Sequence, residues 1–171
     1  MRRKDREILD FGRMIELVDE EEVLRLAFTD EEGTYIVPVN YGYEAEWPGI
    51  DALDAGGSEL EGELCFYIHG AAEGRKSNAL RAAAASGDAV PFEIDGQHLA
   101  EVANGCDASY YYMCVMGHVA VEVLEGNDKI IGLKSLMDGI MPADEYDFRD
   151  EVVEKTMLCR LTVTDWTCKK H

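Results

Sequence analysis

The chain has 171 residues, 47% of them hydrophobic, and a formal net charge of −19. That apolar content suits one ordinary core and lies far above the disordered range, while no apolar run approaches the roughly 20 residues that cross a bilayer. So acidic a chain, without a basic stripe, reads as neither a nucleic-acid binder nor a membrane protein. The start, "MRRKDREILDFGRM", is basic but has no apolar segment behind it, unlike a secretory signal. Five cysteines (Cys65, Cys106, Cys114, Cys159 and Cys168) form no C-x-x-C pair. This argues against a disulfide framework and a zinc site, and for a reducing cytoplasm.

Asp10 is a fair N-cap for a short helix over 11–19, whose apolar edge holds Ile15 and Val18. "EVLRLAFTD" (22–30) reads as a strand, and "TYIVPVNYGY" (34–43) as a second, rich in β-branched and aromatic residues. Pro38 makes that run an edge, a bulge, or a ladder interrupted for a ligand. Residues 44–63 are acidic and glycine-punctuated, a long connection of the kind that forms lids or surface loops. "LCFYIHG" (64–70) is a strand, and "RKSNALRAAAAS" (75–86) an alanine-rich helix stopped by Gly87. "AVPFEID" (89–95) and "SYYYMCVMGHVAVEVL" (109–124) are strands, the latter with a bulge or bend expected at Gly117. A helix over 128–140 and a closing strand over 156–167 complete the chain. Six strands with two or three short helices predict one mainly β domain over 1–171, an antiparallel barrel, closed or split.

Charge placement says more than net charge. No Lys or Arg lies between Arg25 and Arg75, nor between Arg81 and Lys129. In "FYIHGAAEGRKSNAL" (66–80) a strand ends at His69, and Arg75 and Lys76 follow side by side. Gly70 and Gly74 bracket a tight strand-to-helix connection, and the first N–H groups of a helix lack partners and carry partial positive charge. Such a place suits a phosphate monoester. The same two cations equally suit local counterions to the neighbouring acids. No Walker loop is present.

"YIVPVNYGY", "LCFYIHGAAEGRKSNAL", "DAVPFEID" and "MCVMGHVAVEVLEGNDKIIGLKSLM" follow one another in an order that resembles the pyridoxamine 5′-phosphate oxidase-like family of flavin-binding split barrels. Within it the chain is most similar to the nitroimidazole-resistance-type proteins, with their "MRRKDREI" start, "Y-x-V-P-V-N-[FY]-G-[YF]" strand and "[FY]-x-H-x-A-x-x-G-x-K" turn. The resemblance implies an antiparallel split barrel, a homodimer, and FMN in a groove at the subunit interface. Pro38, Val39 and Asn40 would line the isoalloxazine edge; His69, Gly70 and Ala71 would follow the ribityl chain and ring. Gly74, Arg75 and Lys76 would form the phosphate clasp. Cys114 and Val115 fall at the family's Ser-Val, so a thiol stands where relatives carry a hydroxyl.

The function this implies is a cytoplasmic FMN-dependent oxidoreductase that reduces a small-molecule electrophile such as a nitroaromatic. His69 is the one candidate catalytic side chain. The alternative is a flavin- or haem-binding carrier or sensor without turnover, with His69, His118 or His171 as an axial ligand. Pyridoxamine-phosphate oxidation is disfavoured, because the Arg- and Trp-rich C-terminal segment of that enzyme has no counterpart in "LTVTDWTCKKH". Trp166 reads as either a core cap or a pocket wall. Cys114 reads as a buried thiol or, in an electropositive pocket, a redox-active one.

Overall fold

The computed structural model describes residues 3–46, 62–101, 104–141, 143 and 145–171. Its body is one antiparallel sheet of eight strands: β1 (Glu7–Ile8), β2 (Leu24–Asp30), β3 (Gly33–Val39), β4 (Gly42–Glu46), β5 (Glu63–Ala71), β6 (Val90–Glu101), β7 (Ser109–Leu124) and β8 (Thr156–Lys170). The spatial order is β3-β2-β6-β7-β8-β5-β4, and β1 pairs with the far end of β8. Among the described residues the α-helices are α1 (Phe11–Glu20), α2 (Arg75–Ser86), α3 (Gly126–Ile140) and α4 (Asp150–Lys155).

The expected six strands are therefore eight, and the ladder does not close. The run over 34–43 is two strands, β3 and β4, which lie at opposite edges of the sheet. Only Asn40 and Tyr41 separate them, so three residue steps bring the two edges within about 11 Å of each other. The sheet curls into an open barrel, consistent with a split barrel, whose edges are joined at this corner by covalent chain. β1 and α4 are too short for periodicity to reveal. The segment between β4 and β5 includes residues 47–61, so the expected lid or loop over 44–63 lies largely outside the described residues.

Local signals position the elements. The Asp10 carboxylate accepts from the Arg13 N–H at 3.3 Å and caps α1, whose Phe11, Met14, Leu17 and Val18 are buried. Gly87 ends α2 in the left-handed region at φ 76°, its N–H bonded to Ala83 O. Gly117 permits a close approach: a Cβ there would stand 2.0 Å from Asp165 O, and the β7–β8 register shifts at the next step, between His118 and Val119.

The curled sheet buries Leu26, Phe66, Ile94, Val115 and Leu161 on its inner face, plugged by α1 and by Leu80 of α2. Trp166 lies half-buried against this core, with its ring 6.4 Å from Phe11. On the outer face α3 packs against β4, β5 and β8 through Tyr67, Leu133, Leu136 and Leu158. The outer face of β3, β2, β6 and β7 carries no helix among the described residues. Pro38, Arg25, Glu93 and Met116 are cross-strand partners there, and Ile36 pairs with Ala27 two positions along. Ile36 is 65% exposed and Met116 45%. No described helix is long and apolar enough to cross a membrane.

Candidate functional site

β5 runs out at His69, Gly70 and Ala71, and α2 starts four residues later at Arg75. Gly74 is its N-cap at φ 120°, and no side chain caps it. The first N–H groups of α2 therefore face outward without an intrahelical partner. Ser77, 3% exposed, donates to Ala71 O at 2.7 Å and ties the helix start to the strand end. Sequence reasoning passed over Ser77; its signal is a hydroxyl at the third helical position.

Arg75 and Lys76 have opposite environments. Successive helical residues point about 100° apart, and here that separates them fully. Arg75 makes a forked pair with Asp30, both contacts 2.6 Å, stands 3.5 Å from Glu32, and lies 3.8 Å over the Tyr35 ring. The Arg75 hydrogen bonds hold the Asp30 carboxyl below its ordinary range. For Arg75 the counterion role is thus filled. Lys76 turns the other way, donates to His69 O at 3.2 Å, and pairs with no carboxylate among the described residues. Burial pushes its ammonium below the ordinary lysine value. Gly70 makes the room, since a Cβ there would lie 2.8 Å from Lys76 Nζ. His69 is pushed down by desolvation first and by the Lys76 charge second, which favours its neutral form.

The corner between β3 and β4 approaches the same end of β5. Gly42 pairs with Tyr67, two positions before His69. Pro38 sits exposed on an edge strand, where its missing N–H costs nothing; Val39 is buried, and Asn40 donates to Glu22 O at 3.1 Å. Asn40's side-chain amide therefore holds the corner itself.

Cys114 and Val115 lie elsewhere. Val115 is fully buried in the inner core. Cys114 is buried between Asp95 and Lys169, in a patch where Arg25 pairs with Glu93 at 3.1 Å and Asp95 at 2.5 Å, and His98 stands 2.8 Å from Asp95. Burial, then Glu93 and Asp95, push the thiol up to about 11. It is a thiol at neutral pH, in an acidic rather than electropositive setting. The register separates it from the α2 start: His69 pairs with Leu158, Cys114 with Lys169, eleven positions further along β8. Eleven residues are about 36 Å of strand. One chain does not bring the two sets of predicted residues together.

The pattern of the pyridoxamine 5′-phosphate oxidase family matches residues 12–170. The chain belongs to that family. Similar solved structures include a candidate 5-nitroimidazole antibiotic resistance protein from Bacteroides thetaiotaomicron VPI-5482, at 22% identity and TM-score 0.73, covering 96% of this chain and 86% of that one. An FAD- and haem-binding protein from Mycobacterium smegmatis shares 17% identity over 96% of this chain and 72% of its own, with TM-score 0.71. A flavocytochrome from Azotobacter vinelandii matches at 15% identity and TM-score 0.73 over all of this chain and 72% of its own. At these identities the likeness establishes the fold. No curated protein sequence matches the chain significantly.

Proposed function

We propose that this family member binds a flavin nucleotide whose phosphate sits at the start of α2, and that it is an oxidoreductase reducing a small electrophile such as a nitroaromatic. The observation that carries the reading is Lys76: a half-buried ammonium beside an uncapped helix start, with a backbone carbonyl as its sole hydrogen-bond partner among the described residues. In a chain of net charge −19 that is the chemistry of an anion site. The flavin bound by the similar Mycobacterium smegmatis protein and Azotobacter vinelandii flavocytochrome agrees with it.

When bound, the flavin supplies the electron transfer; the protein supplies binding, orientation and electrostatics. Lys76 and the free N–H groups of α2 hold the phosphate. His69 and the Asn40 corner stand beside them, where the ribityl chain and ring would lie. The flavin mononucleotide unit is the part this clasp recognises. The second wall, around Cys114 and Val115, would come from a partner subunit, since one chain holds it about 36 Å of strand away. The uncovered outer face of β3, β2, β6 and β7 is the surface for that homodimer.

An absorbance spectrum of the purified protein tests the reading. Twin flavin bands support it, a Soret band alone would favour the haem carrier, and neither band after incubation with FMN or FAD would overturn both.

A further inference from the structure

α2 has a second face that the core uses only in part, through Ala79. Arg75, Asn78, Ala79 and Ala82 follow the spacing of one helix face, while Ser77, Leu80 and Ala83 are the buried residues. That second face walls a groove of about 970 Å³, closed opposite by Ala27–Thr29 of β2 and by the start of β6 at Val90 and Pro91. The size is at the upper end of small-molecule sites, roughly 300–1,000 Å³. Beyond Arg75 and Asn78 the helix side is walled by the methyl groups of Ala79, Ala82 and Ala83, so the alanines that favour the helix also keep the groove open.

The groove begins at Gly74 and Arg75, the helix start where the phosphate is proposed. Its charged groups are acids: Asp30, Glu31, Glu32 and Asp88. Its one cation among the described residues, Arg75, is held in the fork with Asp30. A phosphate deeper in the groove, past the helix start, would be repelled by these acids. A neutral, flat group rich in donors would not: ribose hydroxyls and an exocyclic amine can donate to carboxylates, a base ring can lie on methyls, and Asn78 offers both a donor and an acceptor to a base edge.

We infer that this groove takes the adenosine half of a flavin dinucleotide, with the pyrophosphate turning about the start of α2 from the Lys76 side to the Arg75 side. The inference rests on the flavin reading above, and it makes FAD the preferred form over FMN.

The test is a titration of wild type and Ala82→Leu with FAD, FMN and riboflavin, followed by flavin fluorescence. Ala82 is exposed, so leucine fills the groove without entering the core. Wild type should bind FAD at least about tenfold tighter than FMN, a difference of roughly 1.4 kcal/mol. Ala82→Leu should bring FAD down to the FMN level while leaving FMN and riboflavin within about twofold, which also shows that the variant is folded. Equal FAD and FMN affinity in wild type, or FAD unaffected by the leucine, overturns the inference and leaves the flavin reading standing. Loss of FMN and riboflavin together with FAD, in a variant whose circular dichroism is unchanged, would place the isoalloxazine in the groove and overturn it too. No binding of any flavin by wild type sinks both readings.

Discussion

The two ends of β8 handle charge in opposite ways. At one end, beside His69, a lysine without a carboxylate partner among the described residues stands at an uncapped helix start. At the other, beside Cys114, Arg25 is shared between Glu93 and Asp95, and Lys169 donates to the Tyr112 hydroxyl at 2.5 Å. The first end holds a half-buried lysine bonded to a carbonyl; the second sets Arg25 against two carboxylates. A cation left without a counterion in so acidic a chain marks a place for an external anion; a satisfied cluster marks a surface that can be covered by protein.

The sharpest way to break this comparison is to separate the subunits of the proposed dimer. Ile36→Asp with Met116→Asp puts two carboxylates on the uncovered face, and burying an unpaired carboxylate costs several kcal/mol. The double variant should elute as a monomer in light scattering and lose flavin affinity by about a hundredfold or more, an energy of roughly 2.7 kcal/mol. A folded monomer with wild-type flavin affinity would show the site to be complete within one chain.

The adjacent cations come next. A hydrogen bond to a charged group contributes roughly 1.5–3 kcal/mol, so Lys76→Ala should weaken FMN by about ten- to a hundredfold. Riboflavin, which lacks the phosphate, should barely respond. Arg75→Ala should weaken FMN by less than about threefold, under 1 kcal/mol, because its guanidinium is already held by Asp30. If the arginine variant loses as much as the lysine variant, the Asp30 pair opens on binding and the contrast between them disappears.

Thiol reactivity measures the satisfied end. Cys106 is exposed and Cys65 partly so, whereas Cys114, Cys159 and Cys168 are buried. Burial raises Cys114 and Cys159 to about 11 and Cys168 to about 12. Iodoacetamide near neutral pH should label Cys106 first and leave these three until the protein is denatured, as read by mass spectrometry. Rapid labelling of Cys114 would revive a redox role for it.

The smallest effect is on pH dependence. His69 has a folded value below its unfolded one, through desolvation and then Lys76. Its neutral form is favoured by folding, so that contribution is present above the ordinary histidine value, about 6.5, and is lost as pH falls below it. His69→Gln should flatten the melting-temperature difference between about pH 7.5 and 5.5, the window that brackets that value. An unchanged difference would assign the slope to other groups.

Much of this was legible in the chain. Asp10 and Gly87 marked a cap and a stop, because each acts through its own backbone and a neighbour within four residues; Gly117 marked a bulge because a glycine inside a strand pattern signals a bend or a close backbone approach. The motif residues identified the family, and "HGAAEGRK" pointed to the start of α2. The fates of Arg75 and Lys76 were not legible. Asp30 is 45 residues from Arg75, and charge order along the sequence does not say which cation meets it. The split of 34–43 into two edge strands was equally hidden: Pro38, Asn40 and Gly42 interrupt the β-rich run, but a corner at Asn40 that sends its two halves to opposite edges needs the whole sheet to curl.

The amino-acid sequence by itself determined the antiparallel β class, the family, and a cation pair at a helix start, since alternation, caps and turn glycines are local. Tertiary structure decided that the sheet stays open at the Asn40–Tyr41 corner, that Arg75 is neutralised while Lys76 is not, and that His69 and Cys114 stand far apart along β8. Those outcomes depend on strand order and register, which are set by burying one shared core, and no local pattern encodes which distant residue becomes a neighbour.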